Sequence, residues 1–382
     1  MRIMISTRQG AGHLGPLIPF AKAFLRNNDE ILVTAPAAAA TMIANAGFDH
    51  HVIPDPPPHE RPSMFAKARA MDYDAANAFV ASKLFIGVDA RAAYPHLLEA
   101  VERFEPDVMV FEASEFAAAL AAEATGTPAV CVGIGQVSHM QMLAPTIARA
   151  LDELRAEFEL EPDPDLDRLN AVPYMTLIPE ALEDPRHPAP PETMRFRVAD
   201  DRPRPLPDWW QNTSWPLVYL TLGTVAPSME FFPGLYRDAI DALSLLPVRV
   251  LVTVGRDRDP RDIGPVGPNV HVARWVPQAD VMPHADVIVC HGGSGTVTAG
   301  LAAGVPMAVM PLFADQPHNA RRVADLGAGV ALDDANGLAD AVRCLIAEPS
   351  YRATAQRIAA GLRELPTVDA AAKIVHGIAV RA

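Results

Sequence analysis

Residues 287–304 read VIVCHGGSGTVTAGLAAG, and this stretch decides the fold. Four apolar residues run into a glycine-rich turn, and residues 297–303 then have the composition of a helix. Glycines let a ligand approach the backbone, and the free N–H groups of a first helical turn attract an anion. The stretch therefore predicts an α/β unit with a pyrophosphate-binding turn. An ordinary strand-to-helix turn would explain only one or two of its glycines.

Two further predicted strand ends carry side chains suited to a ligand. Trp275 follows the strand predicted at 269–273, where its ring could stack on a flat base or lie buried in a core. Asp315 and Gln316 follow residues 310–312 and could bind sugar hydroxyls, although this pair alone would also suit a solvated loop. Because open α/β sheets bind ligands at the carboxyl ends of their strands, these positions predict one common site.

Taken in order, the motifs Trp-x-Pro-Gln (275–278), His-Gly-Gly-x-Gly-Thr (291–296) and Asp-Gln (315–316) resemble a known signature. It is the donor-binding signature of family 1 glycosyltransferases, and the chain is most similar in style to bacterial enzymes that attach deoxysugars to natural products. The resemblance implies the GT-B fold, in which two Rossmann-like α/β domains with parallel sheets face a cleft.

The resemblance also implies how a nucleotide-sugar donor is bound. The ring of Trp275 would stack on the base, the Val276 backbone would read its edge, and Gln278 would lie near the ribose. Residues 291–296, with Ser294 acting through its backbone, and Thr224 would contact the phosphates, and residues 315–316 would face the sugar. The implied donor-binding residues are Thr224, Trp275, Val276, Gln278, His291, Gly293, Ser294, Gly295, Thr296, Asp315 and Gln316.

One position departs from the family pattern. Many relatives carry a glutamate eight residues after the motif histidine, where it binds the ribose hydroxyls, and this chain has Ala299. The difference weakens the prediction of a UDP donor and leaves room for dTDP, whose ribose lacks the 2′-hydroxyl.

A second glycine-rich segment, Gly10-Ala11-Gly12-His13-Leu14-Gly15, follows the first predicted strand and matches G-x-G-x-x-G. A dinucleotide site would also need an acidic residue at the end of the second strand, and that strand ends in Ala35-Pro36. NAD is therefore not expected. His13 could accept a proton near neutral pH or be a solvated loop residue, and the resemblance implies that it deprotonates the acceptor hydroxyl.

A histidine base is usually oriented by a carboxylate. The strand predicted at 108–111 ends at Glu112, where relatives usually carry aspartate, and Glu115 is a second candidate. We predict that Glu112 orients His13, although it could also be a polar strand end.

An apolar insertion at residues 54–93 carries methionines and aromatic residues that suit an apolar acceptor pocket or plain helical core. Residues 136–143 could supply more of the pocket wall. The predicted acceptor-binding residues are Gly12, Met64, Phe65, Phe79, Phe85, Met140 and Met142.

The composition, 50% hydrophobic and 20% charged over 382 residues, suits a globular chain of two domains. A net charge of -14 argues against nucleic acid as a partner.

Three well-separated cysteines indicate free thiols in a reducing cytoplasm. Prolines 306 and 311 break the longest apolar stretch, so no membrane span is expected. The N-terminus does not have the pattern of a signal peptide. The expected partners are a sugar donor and an apolar acceptor, and assembly as a homodimer stays open.

Prolines crowd residues 184–216 and indicate a semi-rigid linker. We therefore predict an N-terminal acceptor-binding domain at 1–200, a proline-rich linker at 201–215 and a C-terminal donor-binding domain at 216–382. By resemblance, the last helix crosses back to the first domain.

The predicted reaction is an inverting, metal-independent sugar transfer to a hydroxyl group, with the nucleotide sugar as co-substrate and no cofactor. The absence of a D-x-D motif agrees with metal independence. A nucleotide-sugar epimerase and a non-catalytic nucleotide-binding relative that acts on a partner enzyme are the alternatives.

Overall fold

Strands and helices alternate along the chain in this computed structural model, which describes residues 1–54, 56, 57, 59–199, 203–209 and 214–381. The chain divides into two compact units. The first comprises Met1–Ile178, Pro185–Val198 and Pro366–Ala382, and the second comprises Pro179–Asp184 and Ala199–Leu365. Residues 201, 202 and 210–213 of the predicted linker lie outside the described residues.

The first unit is built on one parallel sheet. Among its described residues, the strands are β1 (Arg2–Ser6), β2 (Glu30–Pro36), β3 (Asp49–Ile53), β4 (Val108–Glu112), β5 (Ala129–Gly133), β6 (Tyr174–Thr176) and β7 (Met194–Arg195). They lie side by side in the order β3-β2-β1-β4-β5-β6-β7. Ile3 pairs with both Ile31 and Val108, which places β1 between β2 and β4.

Helices connect these strands. They are α1 (Ala11–Arg26), α2 (Ala40–Ala46), α3 (Glu60–Arg69), α4 (Tyr73–Phe79), a π-helix (Val80–Ala90), α5 (Arg91–Phe104), α6 (Phe116–Thr125), α7 (Val137–Glu157) and α8 (Asp167–Asn170). Successive strand residues face opposite sides of the sheet. Ile3 and Ile5 therefore join a core with α1, whereas Met4 and Met109 join a core with α5, α6 and α7.

The second unit repeats this plan. Its described strands are β8 (Leu217–Thr221), β9 (Arg249–Thr253), β10 (Val270–Ala273), β11 (Val287–Cys290), β12 (Met307–Val309) and β13 (Gly329–Ala331). They form a parallel sheet in the order β10-β9-β8-β11-β12-β13. The helices are α9 (Gly234–Ser244), α10 (Gln278–Val281), α11 (Ser294–Ala303), α12 (Gln316–Asp325), α13 (Leu338–Ala347) and α14 (Pro349–Arg363).

Two predicted helical regions differ from the structure. The sequence pattern of residues 351–381 predicts helix throughout, but in the structure the helix stops at Arg363 and a separate helix, α15 (Asp369–Arg381), follows Pro366. A proline has no N–H to continue the ladder, which accounts for the break. Val375 of α15 is buried in the core that contains α1, and Arg26 bonds Asp369. Conversely, the sequence pattern predicts a helix at residues 148–158, but in the structure this helix already begins at Val137 and includes Pro145.

Smaller differences concern strands and thiols. The sequence pattern predicts a short strand at residues 195–198, whereas the strand in the structure is Met194–Arg195; the pattern does not predict β6. All three cysteines are free thiols, as expected; Cys131 and Cys290 are buried, and Cys344 is partly buried. None of the helices in the described part of the chain combines the length and apolar character that a membrane span requires.

Candidate active site

The carboxyl ends of β1 and β4 bring His13 and Glu112 together. Gly10 has a φ of 115°, a left-handed conformation that glycine adopts easily, and α1 begins directly after it. His13 therefore lies in the first turn of α1. This differs from the loop position that the sequence pattern predicts. Its Nδ1 is 2.9 Å from Oε1 of Glu112, so the longer glutamate arm does reach the imidazole.

Glu112 is fully buried and its carboxylate is held on both oxygens. The Ser114 backbone N–H donates to Oε2 at 2.7 Å, and the Ser114 hydroxyl lies 2.9 Å from each oxygen. Burial alone would raise the pKa of Glu112, but the charge and hydrogen bond of His13, the charge of Arg8 and the Ser114 N–H together hold that pKa below its usual value. Glu112 is thus an anion that faces an imidazole.

The predicted acceptor residues divide between α1, the insertion and α7. Phe85 of the π-helix meets the His13 ring edge-on, with 6.0 Å between centroids, and Phe85 and Met140 pack against the core that contains α5, α6 and α7. Phe65 and Met142 are exposed, and Met64 and Phe79 are half-buried. Gly12 is exposed in the first turn of α1. Of these side chains, Phe85 is the one with a described ring contact to His13.

The glycine-rich turn of the second unit joins β11 to α11. Gly292 has a φ of 85°, and a Cβ there would lie 2.8 Å from Val309 Cγ1 and 3.1 Å from the Gln316 carbonyl oxygen, so the turn requires glycine. Gly293 caps α11 without a side-chain hydrogen bond, and Gly295 is exposed in its first turn. Ser294 and Thr296 are buried. The turn thus opens a helix N-terminus, as predicted for an anion site.

His291 is packed between two glycines. A Cβ at Gly223 or at Gly293 would come within 2.6 or 2.5 Å of the imidazole ring. Its Nδ1 is buried and has no hydrogen-bond partner among the described residues. Burial lowers the pKa of His291 to about 4, although Asp315 opposes the shift. The side chain is therefore neutral at pH 7 and has an unused polar atom.

Asn319, to which the motif analysis gave no role, links the turn to α12. Its side-chain nitrogen donates to the Gly292 carbonyl at 2.8 Å, to Ser294 Oγ at 3.0 Å and to Asp315 Oδ2 at 2.9 Å. Ser294 Oγ also donates to Asp315 Oδ2 at 2.6 Å. The sequence does contain a signal for the contact between Asn319 and Asp315: the two residues are four apart, and residues i and i+4 share a face of a helix.

The side chain of Gln316 binds the backbone of the loop that precedes it. Its side-chain oxygen accepts from the N–H groups of Leu312 at 2.8 Å and Phe313 at 3.0 Å, and the residue is 3% exposed. One oxygen of Asp315 and the side-chain oxygen of Gln316 thus shape the loop that was expected to face the sugar.

Trp275 lies on the surface, so the alternative of a buried core tryptophan is wrong. The residue is 44% exposed, and the Arg256 guanidinium carbon lies 3.6 Å from the ring centroid. Val276 is half-buried, Thr224 is exposed in the turn after β8, and Gln278 donates to Thr296 Oγ1 at 3.3 Å. Thr224 follows β8, whereas Trp275, Val276 and Gln278 follow β10, and β9 lies between these two strands in the sheet.

The chain matches known proteins along nearly its whole length. A family model described as "Erythromycin biosynthesis protein CIII-like, C-terminal domain" matches residues 237–377. The elloramycin glycosyltransferase ElmGT of Streptomyces olivaceus is 32% identical over 98% of this chain and 97% of its own. The L-demethylnoviosyl transferase of Streptomyces niveus is 28% identical over 96% of this chain and 95% of its own.

Solved structures show the same fold. The glycosyltransferase SnogD from Streptomyces nogalater superposes with a TM-score of 0.77 at 24% identity, over 99% of each chain. The glycosyltransferase VinC, solved in complex with dTDP, superposes with a TM-score of 0.76 at 23% identity, over 100% of each chain. At these identities, the likeness establishes the GT-B architecture of two parallel-sheet units.

Proposed function

Because the chain belongs to the family of natural-product glycosyltransferases with the GT-B fold, we propose that it transfers a deoxysugar from a nucleoside diphosphate to a hydroxyl of an apolar small molecule, with inversion. The observation that carries this proposal is the 2.9 Å contact between His13 Nδ1 and Glu112 Oε1. If Nδ1 donates its proton to the carboxylate, Nε2 keeps its lone pair and can accept a proton.

In the proposed reaction, His13 Nε2 takes the proton of the acceptor hydroxyl as the oxygen attacks the anomeric carbon. The bond from that carbon to the nucleoside diphosphate breaks on the opposite face, and the departing diphosphate takes the electron pair. Glu112 stabilises the imidazolium that forms, as the carboxylate does in other histidine-based catalysts.

Negative charge grows on the departing diphosphate. The N-terminus of α11, Thr296, Thr224 and the neutral imidazole of His291 are the proposed donors to it. These groups would take the role that a metal ion has in other transferases, so we expect activity in the presence of EDTA.

We propose dTDP as the nucleotide and keep UDP as the second candidate. Two observations support this order. Position 299 of α11 is an alanine, which offers no carboxylate to a 2′-hydroxyl, and a related enzyme of the same fold was solved with dTDP. Thermal-shift titration with dTDP, UDP and GDP tests the order, because a ligand that binds only the folded state raises Tm with its affinity. We expect dTDP to give the largest shift; no shift with any of the three would overturn the donor site.

The transfer itself is tested with a panel of dTDP-deoxysugars and apolar, hydroxyl-bearing acceptors, with the product followed by mass spectrometry. His13→Ala is expected to lower kcat by roughly 10²–10⁴-fold, the range for loss of a general base. The same variant should keep the nucleotide-induced rise in Tm, since the proposed donor residues lie in the other unit. Full activity of His13→Ala would contradict the base, and turnover of donor without acceptor would favour the epimerase.

A further inference from the structure

Arg8 is a buried cation just after β1. Its side chain is 3% exposed, and its Nη2 donates to Oδ2 of Asp89 on the π-helix. Arg61 approaches the other oxygen of Asp89, with Nη1 2.6 Å from Oδ1. Two guanidinium groups therefore share one carboxylate, so Asp89 alone does not balance both positive charges. A buried cation is costly unless it is paired, so the position of Arg8 requires a reason.

Arg8 reaches His13 through an aromatic ring. The guanidinium carbon lies 3.3 Å from the centroid of Phe85, a stacked cation–π contact. The same ring meets His13 edge-on at 6.0 Å. Because Phe85 and Asp89 both belong to the π-helix, one guanidinium holds two side chains of that helix in place. The orientation of Phe85, and with it the packing on His13, thus depends on Arg8.

Arg8 also acts on the charge of Glu112. Four titratable groups interact electrostatically with Glu112. His13 of α1 and Arg8 after β1 lower its pKa, and Glu112 in turn raises the pKa of Glu115 after β4 and of Cys131 in β5. Burial and the nearby Glu112 raise the pKa of Glu115 to about 8, and burial raises that of Cys131, so both are protonated at neutral pH. Glu112 is therefore the anion among these groups, and the guanidinium of Arg8 is a cation whose charge acts on it.

We propose that Arg8 is a positioning residue for the transfer reaction, which fixes Phe85 against the His13 ring and supplies the positive charge that complements Glu112. This inference rests on the proposed function, since it presumes that His13 is the base. Arg8 does not touch substrate in this proposal. It acts through the side chains that hold His13.

Two substitutions separate the roles of charge and shape. Arg8→Gln removes the charge but keeps a donor for Asp89. Removing a nearby cation makes the His13–Glu112 pair easier to protonate, so the acid limb of the kcat/KM profile should move to higher pH by roughly half a unit or more. Arg8→Lys keeps the charge and loses the flat stack on Phe85, so it should leave the limb in place and lower kcat by about tenfold.

Arg61→Met is the matched control, because it removes the other arginine bound to Asp89 without removing the stack on Phe85. We expect its acid limb to coincide with that of the wild type. A far-UV circular dichroism spectrum equal to that of the wild type and a cooperative urea transition, measured on each variant, show that the protein is folded. An unmoved limb in a folded Arg8→Gln overturns the charge role, and wild-type kcat in Arg8→Lys overturns the positioning role. If Arg8→Gln does not fold, Arg8→Met, which also removes the charge, takes its place in the test of the charge role.

The failure of this inference differs from the failure of the proposed function. If His13→Ala keeps its activity, the base and the role of Arg8 both fall. If His13→Ala is inactive, while Arg8→Gln shows the limb of the wild type and Arg8→Lys shows its kcat, the base stands and Arg8 is structural. An equal shift in Arg61→Met would mean a general effect of surface charge and would also overturn the assignment to Arg8.

Discussion

At the scale of the residue, the lowered pKa of His291, a proposed donor-site residue, makes the free energy of unfolding depend on pH. Burial between Gly223 and Gly293 lowers its pKa to about 4, against 6.5 in an unfolded chain. Between these values the unfolded state binds a proton that the folded state does not, so stability is lost as the pH falls from 6.5 towards 4. We predict that His291→Asn loses less stability than the wild type between pH 7 and pH 4.5, by about 2 kcal/mol.

Urea unfolding of both proteins at the two pH values measures this difference. Exposed His187 provides the control, since His187→Asn should follow the pH dependence of the wild type. A wild-type slope in His291→Asn would mean that the imidazole titrates normally and is not held neutral by its surroundings.

The residues that the sequence could identify are those that stand in a motif. His13, Glu112 and the residues of the turn after β11 follow predicted strands, so their placement at strand ends could be read from apolar runs alone. Asn319 and Arg8 could not be found in this way. The role of Asn319 depends on contacts to Gly292 and Ser294, more than twenty residues away along the chain, and that of Arg8 on Phe85 of the π-helix.

At the scale of the element, the junction of α11 and α12 depends on Asn319. Asn319→Ala removes the side-chain amide group, which donates to the Gly292 carbonyl, Ser294 Oγ and Asp315 Oδ2. Leaving buried polar atoms unpaired costs about 1–3 kcal/mol, so we predict a loss of that size in urea unfolding. Because the same bonds shape the turn that would hold the diphosphate, calorimetry should also show weaker nucleotide binding. Asn336→Ala, at an exposed loop residue, should change neither quantity.

The elements themselves could be predicted where burial is complete. Parallel strands covered on both faces are continuous apolar runs, and Leu217–Thr221 and Val287–Cys290 have the bounds expected from the sequence. The insertion could not be resolved in the same way. Residues 80–90 form a π-helix, whose repeat matches neither the period of 3.6 nor that of 2, so the sequence pattern does not indicate which of its side chains share a face.

At the scale of the whole molecule, the two units have separate cores and separate tasks in the proposed reaction. His13 and Glu112 belong to the first unit, and residues 224, 275–278, 291–296 and 315–316 belong to the second. A ligand that binds one unit stabilises the amides whose exchange requires that unit to open. We therefore predict that dTDP slows hydrogen exchange chiefly in the turns after β8, β11 and β12. At a hundred times its Kd, the slowing should reach about 100-fold for amides that exchange through unfolding of the second unit.

The exchange rates of amides in β1 and β4 of the first unit should not change, since the proposed donor residues include none from that unit. GDP at the same concentration serves as the control, because it is expected to bind least. Protection of β1 and β4 with no change at residues 291–297 would place the nucleotide in the first unit. The glycine-rich segment that follows β1 would then have to be reconsidered as the phosphate site, and His13 would lose its role as the base.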